Sequence, residues 1–171
     1  MNSQEFVRLI NPFKDKVYRL AKRLLVSAEE AEDATQEVMM RLWKKNDSLE
    51  QYNSVEALAM TITKNYCLDQ LKSKRASQLT IEHHQYADKQ AGVLRHIEVN
   101  DDLQWIERGL NVLPEQQKLI IQLREVEQYE FSEIAQILDM NETAIRVALS
   151  RGRKAIREYM TKTHQYGISS N

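Results

Sequence analysis

The sequence predicts an all-α protein of two small helical domains joined by a flexible linker, with a helix-turn-helix in the C-terminal domain. Only 4 of the 171 residues are glycine and 2 are proline, so tight turns are scarce. Apolar residues recur at helical spacing along most of the chain, and this periodicity fades between residues 76 and 100. We therefore predict one domain over residues 1–75, a linker over 76–100, a second domain over 101–160 and a frayed tail over 161–171.

The composition narrows the classes of protein. The net charge is −1 with 29% charged residues, so the charge of the whole chain does not indicate nucleic-acid binding. A nucleic-acid site must therefore be a local basic patch. The N-terminus lacks the features of a signal peptide, and no apolar run approaches the ~18 residues of a membrane span. We expect a cytoplasmic protein without stable membrane insertion. The single cysteine, Cys67, allows no internal disulfide and is predicted to pack as a small apolar residue.

The first domain begins with two amphipathic segments. Phe6, Leu9 and Ile10 predict a short helical turn that ends at Asn11 and Pro12, and a core-facing helix follows over residues 13–25. Residues 27–30, SAEE, match a capping box with Ser27 as the N-cap. The sequence therefore predicts that a further helix starts there and runs to about residue 45.

That further helix is acidic in its first half and apolar in its second. Val38 and Leu42 are expected to face the core, and Met39, Met40 and Trp43 do not all fit on the same face. Some apolar surface is then exposed beside carboxylates, which is typical of a site for a basic protein partner. Burial of the helix on two sides remains an alternative.

A polar loop over residues 44–54 precedes a helix that is predicted to run to about Lys74, with Asn53 as its cap and Glu56 at the capping-box position. Tyrosines and bases around this helix are typical of a surface that stacks and holds a nucleic-acid strand. Bases near the helix end also have a simpler role, because they complement the helix dipole. The histidines at 83, 84 and 96 lack a metal-site spacing and are expected at the surface.

The second domain is predicted to contain four helices. Leu103, Ile106, Leu110 and Leu113 form the stripe of the first, and Pro114 opens the second. Residues 131–159 then contain two helices around the break at residues 139–141, with Asn141 as the cap of the basic second helix. This spacing is that of a helix-turn-helix, whose second helix enters the major groove of DNA. An ordinary helical hairpin with a solvated basic face is the alternative.

The order of these parts resembles the sigma-70 family of bacterial RNA polymerase sigma factors, in its extracytoplasmic-function (ECF) group. Residues 33–43, DATQEVMMRLW, resemble the helix of region 2 that docks on core polymerase. Residues 62–72, ITKNYCLDQLK, resemble the helix of region 2 that engages the minus-10 element. Residues 113–117, LPEQQ, resemble the start of region 4, and residues 131–135 with 149–157 resemble its helix-turn-helix. The four motifs occur in the family's order.

The resemblance implies a sigma factor that binds core RNA polymerase and directs promoter recognition, melting and transcription initiation, without a cofactor or a metal. The implied partners are the beta-prime clamp helices and the beta subunit of core polymerase, promoter DNA and an anti-sigma factor. The implied core polymerase-binding residues are Asp33, Gln36, Glu37, Met40 and Trp43. The implied minus-10 residues are Tyr52, Asn53, Lys64, Asn65, Tyr66, Lys72 and Arg75. The implied minus-35 residues are Arg146, Val147, Ser150, Arg151, Arg153 and Lys154.

The chain also departs from the family pattern. Leu58 stands where the family often has tryptophan, Met140 or Asn141 where it has a turn glycine, and Gly152 where it has the alanine of Arg-Ala-Arg. Val147 and Ala148 occupy positions that are commonly polar in the family. The base contacts of the family therefore apply to this chain least safely at these two positions. A stand-alone helix-turn-helix regulator and a helical adaptor without DNA binding are the alternatives. An enzyme is not expected, because the sequence contains neither a plausible catalytic set nor a phosphate loop.

Overall fold

The structure of the protein, a computed structural model, describes residues 1–81 and 101–168, with side chains for 1–79 and 103–163. Within these ranges the chain is helical and contains no strand, which confirms the predicted all-α class. The first domain contains α1 (Ser3–Leu25), α2 (Ala28–Lys44), a 3-10 segment (Asn46–Gln51) and α3 (Val55–Ile81). The second contains α4 (Asp101–Asn111), α5 (Glu115–Ile121), a π-helical turn (Gln122–Val126), α6 (Phe131–Leu138) and α7 (Glu142–Ile168).

Helix α1 is continuous through Pro12, where the sequence analysis placed a break. Phe6, Ile10, Phe13 and Val17 are all buried at helical spacing on both sides of the proline. Pro12 itself is exposed, so its ring lies away from the packed face. Burial of one uninterrupted apolar stripe therefore outweighs the backbone hydrogen bond that a proline removes from a helix.

Helix α2 begins as predicted, because the Ser27 hydroxyl accepts a hydrogen bond from the Glu30 backbone N–H at 3.3 Å. Val38 and Leu42 are fully buried, whereas Met40 is 49% exposed and Trp43 is 38% exposed. The expectation that apolar side chains of α2 remain on the outside is confirmed. Helix α2 does pack against both α1 and α3, but this burial does not cover Met40 and Trp43.

Helix α3 starts and ends differently from the prediction. Ser54 caps it, not Asn53, since the Ser54 hydroxyl accepts from the Ala57 backbone N–H at 3.0 Å. The helix continues to Ile81, beyond the predicted end at Lys74, so the first residues of the predicted linker are helical. Residues 82–100, which include the rest of that linker and the three histidines, lie outside the described residues. Cys67 is fully buried in α3, as predicted, and burial raises the pKa of its thiol to about 12.

In the second domain the helices follow the predicted order, with two differences. Leu110 and Leu113 are buried, but Leu103 is 53% exposed and Ile106 is 40% exposed, so only the end of the predicted stripe of α4 packs. Helix α7 continues to Ile168, so the predicted tail is helical as far as the structure describes it.

The two domains pack against each other. Helix α1 contacts α5 and the π-helical turn, and α3 contacts α6, the first helix of the helix-turn-helix. No helix in the described part of the chain combines the length and the hydropathy that crossing a membrane requires.

Candidate nucleic-acid and polymerase interfaces

The turn between α6 and α7 sets the angle at which α7 leaves the domain. Asp139 adopts the left-handed conformation (φ 52°), and the Met140 N–H donates to the Ala135 carbonyl at 3.1 Å. Aspartate tolerates this region better than most residues, so it replaces the turn glycine that the sequence analysis had aligned with Met140 or Asn141. Asn141 caps α7 as predicted, because its side-chain oxygen accepts from the Ala144 N–H at 2.7 Å.

Helix α7 divides into a packed face and a presented face. Ile145, Ala148, Leu149 and Gly152 are buried against the domain. All six predicted minus-35 residues are exposed, namely Arg146, Val147, Ser150, Arg151, Arg153 and Lys154. Three arginines and a lysine on the free side of a helix in a helix-turn-helix form a surface that suits the major groove and its phosphates.

Two residues that the sequence analysis did not select help to order this surface. The guanidinium carbon of Arg146 lies 4.6 Å from the centroid of the Phe131 ring, and that of Arg124 lies 4.3 Å from the same centroid. Arg124 also donates to the Tyr129 carbonyl at 2.9 Å. Cation–π contacts of this kind hold a guanidinium in one orientation. Helical periodicity does not reveal them, because Phe131 meets Arg146 only through the turn of the helix-turn-helix.

Arg153 is engaged within its own domain. Its guanidinium pairs with the carboxylate of Glu125, which belongs to the π-helical turn. The pair is about half exposed on both sides, so a phosphate group can replace the carboxylate at little cost.

The predicted minus-10 residues fall into two groups. The first group is exposed to solvent, on α3 or in the loop before it, and contains Tyr52, Asn53, Asn65 and Lys72. Tyr66 is half-buried beside them, with the Arg41 guanidinium carbon 5.2 Å from its ring centroid. Burial raises the pKa of the Tyr66 hydroxyl, which is therefore a neutral donor at ordinary pH.

The second group, Lys64 and Arg75, contacts the second domain. The Lys64 ammonium donates to the Ile137 carbonyl of α6 at 3.1 Å, and Arg75 pairs with the carboxylate of Glu115 at the start of α5. Burial lowers the pKa of Lys64. Sequence reasoning placed both side chains on a free basic surface and did not reveal these partners, which lie 73 and 40 positions away.

The predicted polymerase-binding residues all lie on α2. Asp33, Gln36, Met40 and Trp43 are exposed, and Glu37 is half-buried beside Arg41, to which its carboxylate bonds at 2.8 Å. The Trp43 ring packs edge-on against Phe6, with ring centroids 5.0 Å apart. The N-terminal turn of α1 therefore holds the indole in place on the surface, a support that the spacing of α2 alone does not predict.

Both domains of the chain match models of known protein families. Residues 9–77 match the model of sigma-70 region 2, and residues 103–156 match that of sigma-70 region 4. The chain belongs to the sigma-70 family. Because both regions are present in the family's order, the alternative hypothesis of a stand-alone helix-turn-helix regulator is not favoured.

Relatives place this sigma factor in the ECF group. It is 25% identical to the ECF RNA polymerase sigma factor SigW of Bacillus subtilis, over 91% of this chain and 88% of that one. It is 26% identical to the ECF RNA polymerase sigma-E factor of Escherichia coli, over 91% of this chain and 86% of that one. The prediction of an RNA polymerase sigma factor of this group is confirmed.

Two solved structures share the fold. The sigma factor RpoE of Bartonella quintana, in complex with the anti-sigma factor NepR, superposes with a TM-score of 0.76 at 23% identity, covering 92% of this chain and 98% of that one. CnrH, in complex with the cytosolic domain of CnrY, gives a TM-score of 0.69 at 16% identity, covering 94% and 90%. At these identities the likeness concerns the fold alone.

Proposed function

We propose that this sigma factor reads a promoter with two separate surfaces and joins core RNA polymerase through a third. The observation that carries the proposal is that α7 has two distinct faces. Its six predicted DNA-contacting side chains are all exposed, and its other face is buried against the domain. The proposed boundaries remain residues 1–75 for region 2 and 101–160 for region 4.

The minus-35 element is read by α7 as duplex DNA. Arg146 and Ser150, in the first turns of the helix, reach base edges in the major groove, and Val147 adds an apolar contact to them. Arg151, Arg153 and Lys154 meet the phosphates and fix the register of the helix on the DNA.

The minus-10 element is held as a separated strand. Melting requires aromatic rings on which bases stack and cations along the backbone. Tyr52 and Tyr66 supply the rings, Asn53 and Asn65 supply polar contacts, and Lys64, Lys72 and Arg75 supply the charge. These side chains belong to α3 and the loop before it, which form one continuous piece of the first domain.

Core polymerase docks on the exposed side of α2. Met40 and Trp43 provide an apolar centre, and Asp33, Gln36 and Glu37 provide a polar rim. Buried aromatic anchors with a polar rim are typical of protein interfaces. We propose the beta-prime clamp helices and the beta subunit as the polymerase partners, and an anti-sigma factor as a further partner. The protein acts in the cytoplasm as a binding protein, not as an enzyme.

Promoter reading is tested with Arg146→Ala in reconstituted holoenzyme. Loss of one bidentate base contact is expected to weaken promoter binding by about 1–3 kcal/mol and to relax preference at one position of the minus-35 element. Arg157→Ala is the matched control, because Arg157 is exposed on the same helix and lies outside the predicted contact set. Unchanged promoter selection by Arg146→Ala in a footprinting experiment would remove α7 from this role.

Docking is tested by reversing two charges on α2. Asp33→Arg combined with Glu37→Arg is expected to abolish capture of core polymerase in a pull-down, since the new cations oppose a basic partner surface. Asp47→Arg combined with Glu50→Arg makes the same change at exposed positions of the 3-10 segment and serves as the control. Capture that survives the α2 pair would remove the docking role from α2, and capture lost equally with the control pair would attribute the loss to the added charge.

A further inference from the structure

Helix α7 carries one apolar side chain at the centre of its presented face. Each residue of a helix is rotated by ~100° from the one before, so Val147 lies on the opposite side of α7 from Ile145 and Leu149. Those two residues are buried against the domain, whereas Val147 is 43% exposed. A single exposed valine is ordinary on a protein surface, so its meaning depends on its neighbours.

The neighbours of Val147 on this face suit duplex DNA. Ser150, Arg151 and Lys154 follow it at i+3, i+4 and i+7, which places all four residues in one line along the helix, here called the central stripe. All four are exposed. When a helix enters the major groove, its N-terminal residues contact base edges and its cations meet phosphates. Val147, as the first member of the stripe, is therefore placed against the bases.

Two arginines of the presented face lie at its margin. The Arg146 guanidinium lies over the Phe131 ring, and the Arg153 guanidinium pairs with the carboxylate of Glu125, so both side chains contact their own domain. The central stripe is farther from the domain than either arginine. Val147 is thus the side chain of this set that lies nearest the floor of a groove that α7 enters.

The structure also separates the two residues that depart from the polar pattern of the family. Ala148 is only 8% exposed and packs against the domain, so it does not face DNA. Val147 faces outward, at a position that is commonly polar. Because the valine side chain has neither a donor nor an acceptor, its contact with a base edge is apolar.

The major groove presents one apolar group, which is the methyl group of thymine, whereas its other base edges are donors and acceptors. A valine against the amino group of cytosine or the oxygen of guanine would remove water from that group and leave it without a partner, which is unfavourable. Against the thymine methyl group, both surfaces are apolar. Valine is also stiff at χ1, so the contact costs little side-chain entropy.

We propose that Val147 recognises the methyl group of one thymine in the minus-35 element. The chain then requires a T·A pair at a position where a polar residue would favour a different base edge. This inference rests on the proposed role of α7 in binding the minus-35 element, and it names the chemical group that the side chain recognises.

The test begins with the minus-35 sequence that reconstituted wild-type holoenzyme selects from duplexes in which this element is randomised. Each thymine of that sequence, on either strand, is replaced in turn by uracil. Uracil keeps the base pair and lacks only the methyl group. At one position the replacement is expected to weaken wild-type binding about threefold to fivefold in a competition assay, which corresponds to exposing one buried methyl group.

Variants of Val147 assign the effect to this side chain. Val147→Ser removes both methyl groups at little cost to the helix, since serine and valine have similar helix propensities, and it is expected to bind the thymine and uracil duplexes equally. Val147→Thr keeps one methyl group and is expected to retain part of the preference. Val112→Ser is the matched control, because Val112 is 65% exposed in the second domain but lies outside α7, and it is expected to retain the full uracil effect.

A methylated cytosine supplies the converse experiment. Replacement of the recognised T·A pair by C·G is expected to weaken binding, and 5-methylcytosine at the same position is expected to restore about threefold for the wild type. Val147→Ser is expected not to respond to this methylation. Since cytosine and thymine differ in their hydrogen-bonding edges, a response to both methyl groups identifies the methyl group itself as the recognised feature.

The outcomes distinguish this inference from the proposed function. Uracil without effect at every thymine would overturn the inference, and so would a uracil effect of equal size in Val147→Ser. If Val147→Ser binds too weakly to be measured, an undiminished uracil effect in Val147→Thr together with no response to 5-methylcytosine in the wild type overturns it as well. Failure of wild-type holoenzyme to select any minus-35 sequence would overturn the proposed role of α7 instead.

Discussion

Gly152 lies between Arg151 and Arg153 on the packed side of α7, and its replacement by alanine has an effect that the structure allows to be worked out. A Cβ atom at this position would lie 2.8 Å from the Ile121 Cδ1 atom and 3.5 Å from the Gln117 Cβ atom of α5. Glycine inside a helix is about 1 kcal/mol less favourable than alanine. Moving the buried Ile121 side chain away from its preferred rotamer costs about 0.5–1.5 kcal/mol. The two effects nearly cancel, so Gly152→Ala is expected to change the free energy of unfolding by less than about 0.5 kcal/mol.

Removal of the Ile121 Cδ1 atom separates the two effects. Ile121→Val alone is expected to destabilise the protein by about 0.5–1.5 kcal/mol, as for other buried isoleucines. In that background the nearest atom of residue 121 is Cγ1, at the ordinary contact distance of 3.5 Å, so Gly152→Ala is expected to stabilise by about 1 kcal/mol. The coupling between the two substitutions is therefore about 1 kcal/mol.

The assay is urea denaturation of the full chain for the wild type, both single variants and the double variant, followed by circular dichroism. An equal effect of Gly152→Ala in both backgrounds, or a full stabilisation of about 1 kcal/mol in the wild type, would refute the contact with Ile121. Promoter binding by holoenzyme supplies a second readout. It is expected to stay unchanged, because the side chain of Ile121 moves and the presented face of α7 does not.

Four further outcomes are expected. Phe131→Leu removes the ring beside Arg124 and Arg146 and should weaken minus-35 duplex binding by holoenzyme about twofold to fivefold, given ~0.5–1 kcal/mol for the one cation–π contact that orients Arg146; unchanged binding would argue against the positioning role. Cys67, whose pKa burial raises to about 12, should react with a thiol reagent at neutral pH only after urea unfolds the chain. Val26, a β-branched residue with φ 67° and ψ −37°, should give a protein more stable by about 1 kcal/mol when changed to glycine, which adopts positive φ without steric cost; urea denaturation measures the gain. Burial raises the pKa of Tyr129 in the folded protein, so its contribution to stability is present below the ordinary tyrosine pKa of ~10 and is lost as pH rises beyond it. The free energy of unfolding, measured by urea denaturation, should fall there, and less so in Tyr129→Phe.

Local chemistry explains which features could be predicted from the sequence. The caps at Ser27 and Asn141 were predictable because a cap and its N–H partner lie within three residues of each other. The exposure of Met40 and Trp43 followed from periodicity, since one helix face has room for only part of an apolar set. The presented face of α7 followed for the same reason.

Features that depend on residues far apart in the chain could not be predicted in this way. Glu56 was assigned a capping role from its spacing to Asn53, but its carboxylate bonds to Lys16 and Tyr129, which lie 40 and 73 positions away. Pro12 lies within an unbroken α1 because the core on both sides of it is continuous. Both outcomes depend on what packs against the residue, which a local pattern does not contain.

The sequence by itself determined most of the helices, their packed faces and the residues that we propose for polymerase and DNA, because hydrogen bonds within helices and the 3.6-residue period are set by near neighbours. Only the tertiary structure decided which of those residues are free. Lys64 and Arg75 look like open cations in the sequence, and the packing of α3 on α6 and of the two domains on each other gives both of them partners. The physical reason is that side-chain partners across a domain interface are chosen by the geometry of packing, which brings together residues that no periodicity relates.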